Sequence, residues 1–195
     1  MKSALERGFK SGAERTAVSL REEIGLSPCD RLSPAILARH LGVVLWTPED
    51  VPNLPSEVLR QLLQQDPQGW SAVTVLQTAT AVVIYNPKHK LGRQSSDIVH
   101  ELAHLILGHE PSRMILSNDG SLVMRSYDQK QEDEASWLAW AILLPREGLL
   151  SSRRSSLTVL EIAERFGVSE TLVNFRLRMT GVEAHLKAAS RYRRR

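Results

Sequence analysis

Cysteine is nearly absent from this sequence: Cys29 stands alone among 195 residues. A lone cysteine cannot close an internal disulfide, which excludes a secreted scaffold built on such bridges. Long hydrophobic runs are missing too. No stretch approaches the roughly 20 apolar residues that span a bilayer. The opening MKSALERGFKSGAERTAVSL lacks the apolar centre of a signal peptide. A cytoplasmic protein with no membrane partner is therefore expected. No internal repeat occurs, and the only low-complexity stretch is SSRRSS at 151–156.

What remains is an ordinary globular composition. Hydrophobic residues make up 42% and charged residues 24%, which excludes a disordered chain. The length suits one compact domain, or one with a small appendage. The net charge of +3 is unevenly spread. From Arg176 to Arg195 there are seven Lys or Arg against Glu183 alone, a surplus of six, so the rest of the chain carries −3. A basic end of this kind is either a solvated terminus or an attractor of nucleic acid or an acidic partner.

Hydrophobic periodicity predicts an amphipathic helix over 3–24, with Ala4, Ala13, Ala17, Leu20 and Ile24 on its apolar side. Pro34 opens a second helix that Gly42 closes. VVLW (43–46) reads as a strand, and 56–65 reads as helical after the prolines at 48, 52 and 55. SAVTVL (71–76) and TAVVIYN (80–86) read as a hairpin. A long helix is expected over 95–107, ended by Gly108 and Pro111, then an irregular stretch over 110–127. Another helix should run over 128–144 and stop at Pro145. SSRRSS reads as a loop, and short helices over 157–166 and 169–179 flank the turn FGVS. Helices around a small antiparallel sheet make an α+β fold. Residues 1–150 would form the main body and 151–195 a helical appendage.

The chemistry concentrates in His100-Glu101-Leu102-Ala103-His104, an HExxH pattern. Positions four apart share a helix face, so both imidazoles can reach one ion. With His100 at zero and ~100° per residue, His104 falls near 40° and Glu101 near 100°. Ile98, Leu102 and Leu105 cluster near 140–200°, on the opposite side. One face therefore suits the core and the other a cleft. A catalytic zinc site uses three protein ligands and keeps one position open. The segment QEDEASWLAWAILLP offers Glu132, Asp133 and Glu134. Glu132 shares a stripe with Ser136, Ala139 and Leu143, whose small members permit close helix approach, whereas Glu134 points nearly opposite. Glu132 is the favoured third ligand. Trp137 and Trp140 lie on a flank suited to the core.

This arrangement resembles the ImmA/IrrE family of metallopeptidases. The matching residues are His100, Glu101 and His104, followed by Glu132, Ala135, Ala139, Leu143, Leu144 and Pro145 of a helix of the form E-x-x-A-x-x-x-A-x-x-x-L-L-P. The resemblance implies a minimal zincin-like domain, with metal held by the two histidines and the helix glutamate. It also implies helix-turn-helix repressors as protein substrates, and induced gene expression as the output. Ala103 stands where the family usually has glycine. Leu138 and Leu144 replace common Phe and Met, and Ser95-Ser96-Asp97-Ile98 differs from the usual lead-in. None of these removes a ligand or the acid.

In such a site zinc acidifies water and polarises a carbonyl. Glu101 is placed to take the proton and pass it to the leaving amine. Manganese accepts the same donors. Asp97, near 60° on the same wheel, either accepts a hydrogen bond from a ligand histidine or is simply polar. His89, His109, Arg125 and Tyr127 lie near enough in sequence to serve a developing oxyanion, and no spacing selects among them. His40 and His185 sit on other helices and look incidental.

LTVLEIAERFGVSETLVNFRLRMTGV resembles a helix-turn-helix, with Ala163 at the crossing, Gly167 in the turn, Ser169 as N-cap and Val173 as packing residue. Glu170, Thr171, Asn174 and Arg178 would be exposed on its second helix. DNA contact through 151–195 is one reading; a helical pair that binds a protein is the other, and Glu170 would repel phosphate. Besides a zinc peptidase, a non-proteolytic metal-containing regulator and one half of a toxin–antitoxin pair fit these features.

Overall fold

The structure is a computed structural model that describes residues 5–76, 80–109, 113–116, 122–125 and 128–192, without the side chains of 113–116, 122–125 and 190–192. It is α+β. Helices α1 (Phe9–Glu23) and α2 (Pro34–His40) lead into strand β1 (Val44–Trp46). A short helix α3 (Ser56–Arg60) runs on into a π turn at Gln61–Gln65. Strands β2 (Ala72–Leu76) and β3 (Ala81–Tyr85) follow, then helix α4 (Leu91–Leu107). Residues 3 and 4 of the expected first helix lie outside the described residues.

The hairpin expected over 71–86 is present: β2 and β3 pair antiparallel, with Thr74 opposite Val83. β1 joins the other edge of β3 in parallel, Val44 opposite Val82, so the sheet is mixed and its order is β1-β3-β2. Parallel pairing needs a crossover connection, and α3 with its π turn lies in that connection. β2 is left as an edge strand.

Two four-residue strands, β4 (Arg113–Leu116) and β5 (Leu122–Arg125), form an antiparallel pair where irregular chain was expected. Helix α5 (Gln129–Leu143) follows, and its N-cap Asp128 accepts from the Lys130 N–H at 2.9 Å. Helix α6 (Arg146–Arg154) occupies most of the stretch read as a loop. The helix-turn-helix-like pair is α7 (Val159–Phe166) and α8 (Glu170–Thr180). Thr158 and Glu161 close a capping box on α7, and Ser169 caps α8 by accepting from Leu172 N–H at 3.2 Å. The basic end is helical as α9 (Val182–Tyr192); residues 193–195 lie outside the description.

α4 packs most extensively on α5. Ala103 on one helix and Ala135 and Ala139 on the other are fully buried, and such small side chains allow close approach. α5 also packs on α1, and its C-terminal carbonyls are met by two buried guanidinium groups. Arg21 of α1 donates to Ile142 O at 2.6 Å, and Arg176 of α8 donates to Leu144 O at 3.1 Å. These bonds satisfy carbonyls that a helix end leaves unpaired, and place positive charge where the helix dipole favours it. Arg21 further donates to Ser27 O and Asp30 O, and Arg176 pairs with Glu14. The second helix of the pair is therefore built into the body. Its Phe175 ring also meets Trp140 edge-on at 4.7 Å and Trp137 at 6.1 Å.

Gly148 marks the tightest approach on α6. A Cβ there would overlap the Pro28 carbonyl oxygen and come within 2.9 Å of the Phe166 ring. Gly148→Ala is expected to destabilise the protein by about 1–3 kcal/mol through overpacking. A lower denaturant midpoint at unchanged slope is the check.

Candidate metal centre

The HExxH residues lie in the last turns of α4, whose other face is built into the core. Ile98, Val99, Leu102 and Ala103 are buried, which leaves His100, Glu101 and His104 on the half-buried side. Glu132 stands in the first turn of α5 and faces them. His100 Nε2 lies 3.1 Å from His104 Nε2 and 3.1 Å from Glu132 Oε2, and His104 Nε2 lies 3.4 Å from Glu132 Oε1. One ligand atom from each of the three residues lies within 4.8 Å of the others, so the set could hold a metal ion.

The donor geometry fits zinc. Two nitrogens each ~2.05 Å from a tetrahedral ion stand about 3.3 Å apart, close to the 3.1 Å between the two Nε2 atoms. Two imidazoles and a carboxylate are also the borderline donors that such an ion accepts. Burial, reinforced by the neighbouring His100 charge, pushes His104 down to about 4. Its ring is then neutral near pH 7, as a ligand must be.

Glu101 points to the adjoining cleft. A cavity of about 300 Å³ is lined by Ser71, Ala72, Asp97, His100 and Glu101. Thr74 of β2 donates its hydroxyl to Glu101 Oε2 at 2.5 Å. Burial pushes the Glu101 carboxyl above its ordinary range, and the Thr74 hydroxyl works against that shift. Thr74 escaped the sequence reading. Its one available signal was strand alternation: it sits opposite Val83, which is fully buried, so it shares the buried side of the sheet.

The other candidates are distributed as follows. Asp97 pairs with His89 Nδ1 at 3.0 Å, and not with His100 or His104. His89 is thereby buried away from the cleft, with Asn86 on its other nitrogen at 3.4 Å. His100 Nδ1 is met by Ser136 Oγ at 3.3 Å. His109 sits behind His104, with Nδ1 atoms 3.0 Å apart, and reaches Glu134 Oε2 at 3.2 Å. His40 pairs with Glu23 on the surface, and His185 is exposed on α9. The Arg125 side chain and Tyr127 lie outside the described residues. Among the described residues no helix is long and apolar enough to cross a membrane.

Two histidines from one helix and a glutamate from a second are the ligand types of a His₂Glu zinc site. The family model Peptidase_M78, described as the IrrE N-terminal-like domain, matches residues 58–178. The chain belongs to this family, which the ImmA/IrrE resemblance anticipated. No curated protein matches the chain. Among solved structures, a Mycobacterium tuberculosis transcriptional regulator is similar at 16% identity and a TM-score of 0.49, over 90% of this chain and 48% of its own. The chain thus spans about half the length of that protein.

Proposed function

We propose that the protein is a zinc-dependent endopeptidase in which His100, His104 and Glu132 hold the ion and Glu101 is the general base. The observation that carries this reading is the meeting of three donor atoms from two helices beside a carboxylate that a neighbouring strand holds in place. Bound zinc would supply a Lewis acid for the scissile carbonyl and make water acidic near pH 7. Glu101 takes the proton from the attacking water and delivers it to the leaving amine. Its raised proton affinity suits both halves of that transfer. Thr74 keeps the carboxylate aimed. β2 is an edge strand, and Ser71 and Ala72 at its start line the same cavity as Glu101. An extended substrate segment added to that edge would pass the acid.

Family membership supports a protein substrate of regulatory kind, and the ImmA/IrrE resemblance favours a helix-turn-helix repressor whose cleavage would induce transcription. In this reading residues 1–150 carry the chemistry and 151–195 serve recognition of that partner. The exposed side of α8 presents Glu170, Thr171, Asn174 and Arg178, a mixed surface that suits a protein better than phosphate. A cytoplasmic location agrees with a repressor substrate.

Two measurements test the reading. Zinc-loaded wild type should carry one ion per chain and cut the repressor encoded beside its gene. Glu132→Ala should lose the ion on dialysis and cut nothing, with little change in fold because Glu132 is half-exposed. Full zinc retention by Glu132→Ala would remove that residue from the ligand set. A zinc-loaded wild type that binds a repressor or DNA without cutting would identify a non-proteolytic regulator.

A further inference from the structure

We propose that His109 and Glu134 form a positioning pair that holds the His104 ring in the orientation and tautomer a metal ion requires; the inference rests on the metal-site reading above. The argument begins with the backbone. Gly108 adopts φ 66°, a left-handed conformation that ends α4. The Gly108 N–H then donates to Leu105 O at 3.2 Å, and the His109 N–H donates to His104 O at 3.0 Å. This is the Schellman closure of a helix. It turns the chain back so that the residue after the glycine lies beside the second histidine of the motif.

The side chains complete the contact. His104 presents Nε2 to His100 and Glu132, so that nitrogen must be the unprotonated one if it ligates an ion. A neutral imidazole then carries its hydrogen on Nδ1. His104 Nδ1 lies 3.0 Å from His109 Nδ1, so His104 donates and His109 accepts. The His109 hydrogen is left on Nε2, which lies 3.2 Å from Glu134 Oε2. A carboxylate only accepts, so the direction of every bond in the row agrees with the first. His109 and Glu134 keep 8% and 14% of their side chains exposed, which shields the row from competing water. Lys130, one turn earlier on α5, lies 3.9 Å from the other Glu134 oxygen. Among the described residues His100 has only Ser136 at its Nδ1, at 3.3 Å. His104 is therefore the ligand whose pose is set from outside the ion. A carboxylate behind a ligand imidazole raises its basicity and fixes its ring; here a second imidazole transmits the effect.

The test uses the full chain and zinc in competition with a chromophoric chelator. His109→Ala and Glu134→Ala are each expected to lower zinc affinity about 10–100-fold. Because the two act in series, the double variant should fall no further than His109→Ala, within about a factor of two. His109→Gln, which can still accept from His104, should recover most of the loss. Melting of the metal-free proteins separates the alternative: a merely structural pair would lower the melting temperature and leave zinc affinity and its rescue unmoved. Wild-type zinc affinity in His109→Ala, or additive losses in the double variant, would overturn the inference. Should His109→Ala fail to fold, Glu134→Gln keeps the shape and removes the charge; a several-fold weaker zinc affinity supports the pair, and an unchanged one overturns it. No zinc affinity in wild type would sink the metal centre itself, and this inference with it.

Discussion

Glu101→Gln is expected to slow peptide hydrolysis by about 10²–10⁴-fold, the usual worth of a positioned general acid–base. The substitution keeps the side chain's shape. The amide oxygen can still accept from Thr74, so the residue should stay where the carboxylate was. What disappears is the ability to take a proton and return it. Glu101 contributes none of the three donor atoms, so zinc content should remain near that of wild type. The loss should fall on kcat, with KM little changed, because the missing interaction belongs to the transition state. Hydrolysis within about tenfold of wild type would remove Glu101 from the chemistry. Loss of zinc alongside activity would make it a structural support instead.

Glu14→Ala is expected to cost about 3 kcal/mol of stability, near the lower end for breaking a buried ion pair. Arg176 is fully buried, and burial pushes its guanidinium below its ordinary value while Glu14 opposes that shift. Removing Glu14 leaves the charge uncompensated in the interior. It also takes the acceptor from the Arg146 N–H at the start of α6, which bonds the other Glu14 oxygen at 3.1 Å. The lower end applies because the Glu14 side chain keeps 22% exposure, so water can replace part of what is lost. For a chain of this size the melting temperature should fall by about 6–12 °C. Glu14→Gln, which keeps both acceptor and bulk, should cost less. A change under about 0.5 kcal/mol in Glu14→Ala would mean that the pair adds nothing measurable.

The helix carrying HExxH was legible because its two faces differ in kind. Ile98 and Leu102 are buried as the 3.6-residue period predicts, and His100, Glu101 and His104 face the other way. The same period separates the directions of Glu132 and Glu134. Glu132 meets the rings of both His100 and His104, and Glu134 is turned to His109. Period alone could not place the residues that support these. Thr74 and Glu101 lie 27 positions apart, and Glu14 and Arg176 lie 162 apart. Such partners are joined only by the tertiary fold. Gly108 was readable as a helix stop, but not the fact that the stop folds His109 back against His104. The β4–β5 pair escaped because each strand has four residues, too few for alternation to rise above noise. The parallel β1 was readable as a strand but not as a neighbour of β3, since pairing order has no local signal.

The clamp at the C-terminal end of α5 has a practical consequence for anyone who trims this protein. Glu132 rides on a helix whose far end is tied to the first helix by Arg21 and to the eighth by Arg176. A fragment cut after residue 150 would retain His100, Glu101, His104 and Glu132, yet leave the Leu144 carbonyl and the flank under Phe175 bare. Failure of such a fragment to hold zinc would report a loosened helix. It should not be mistaken for the loss of a distant ligand.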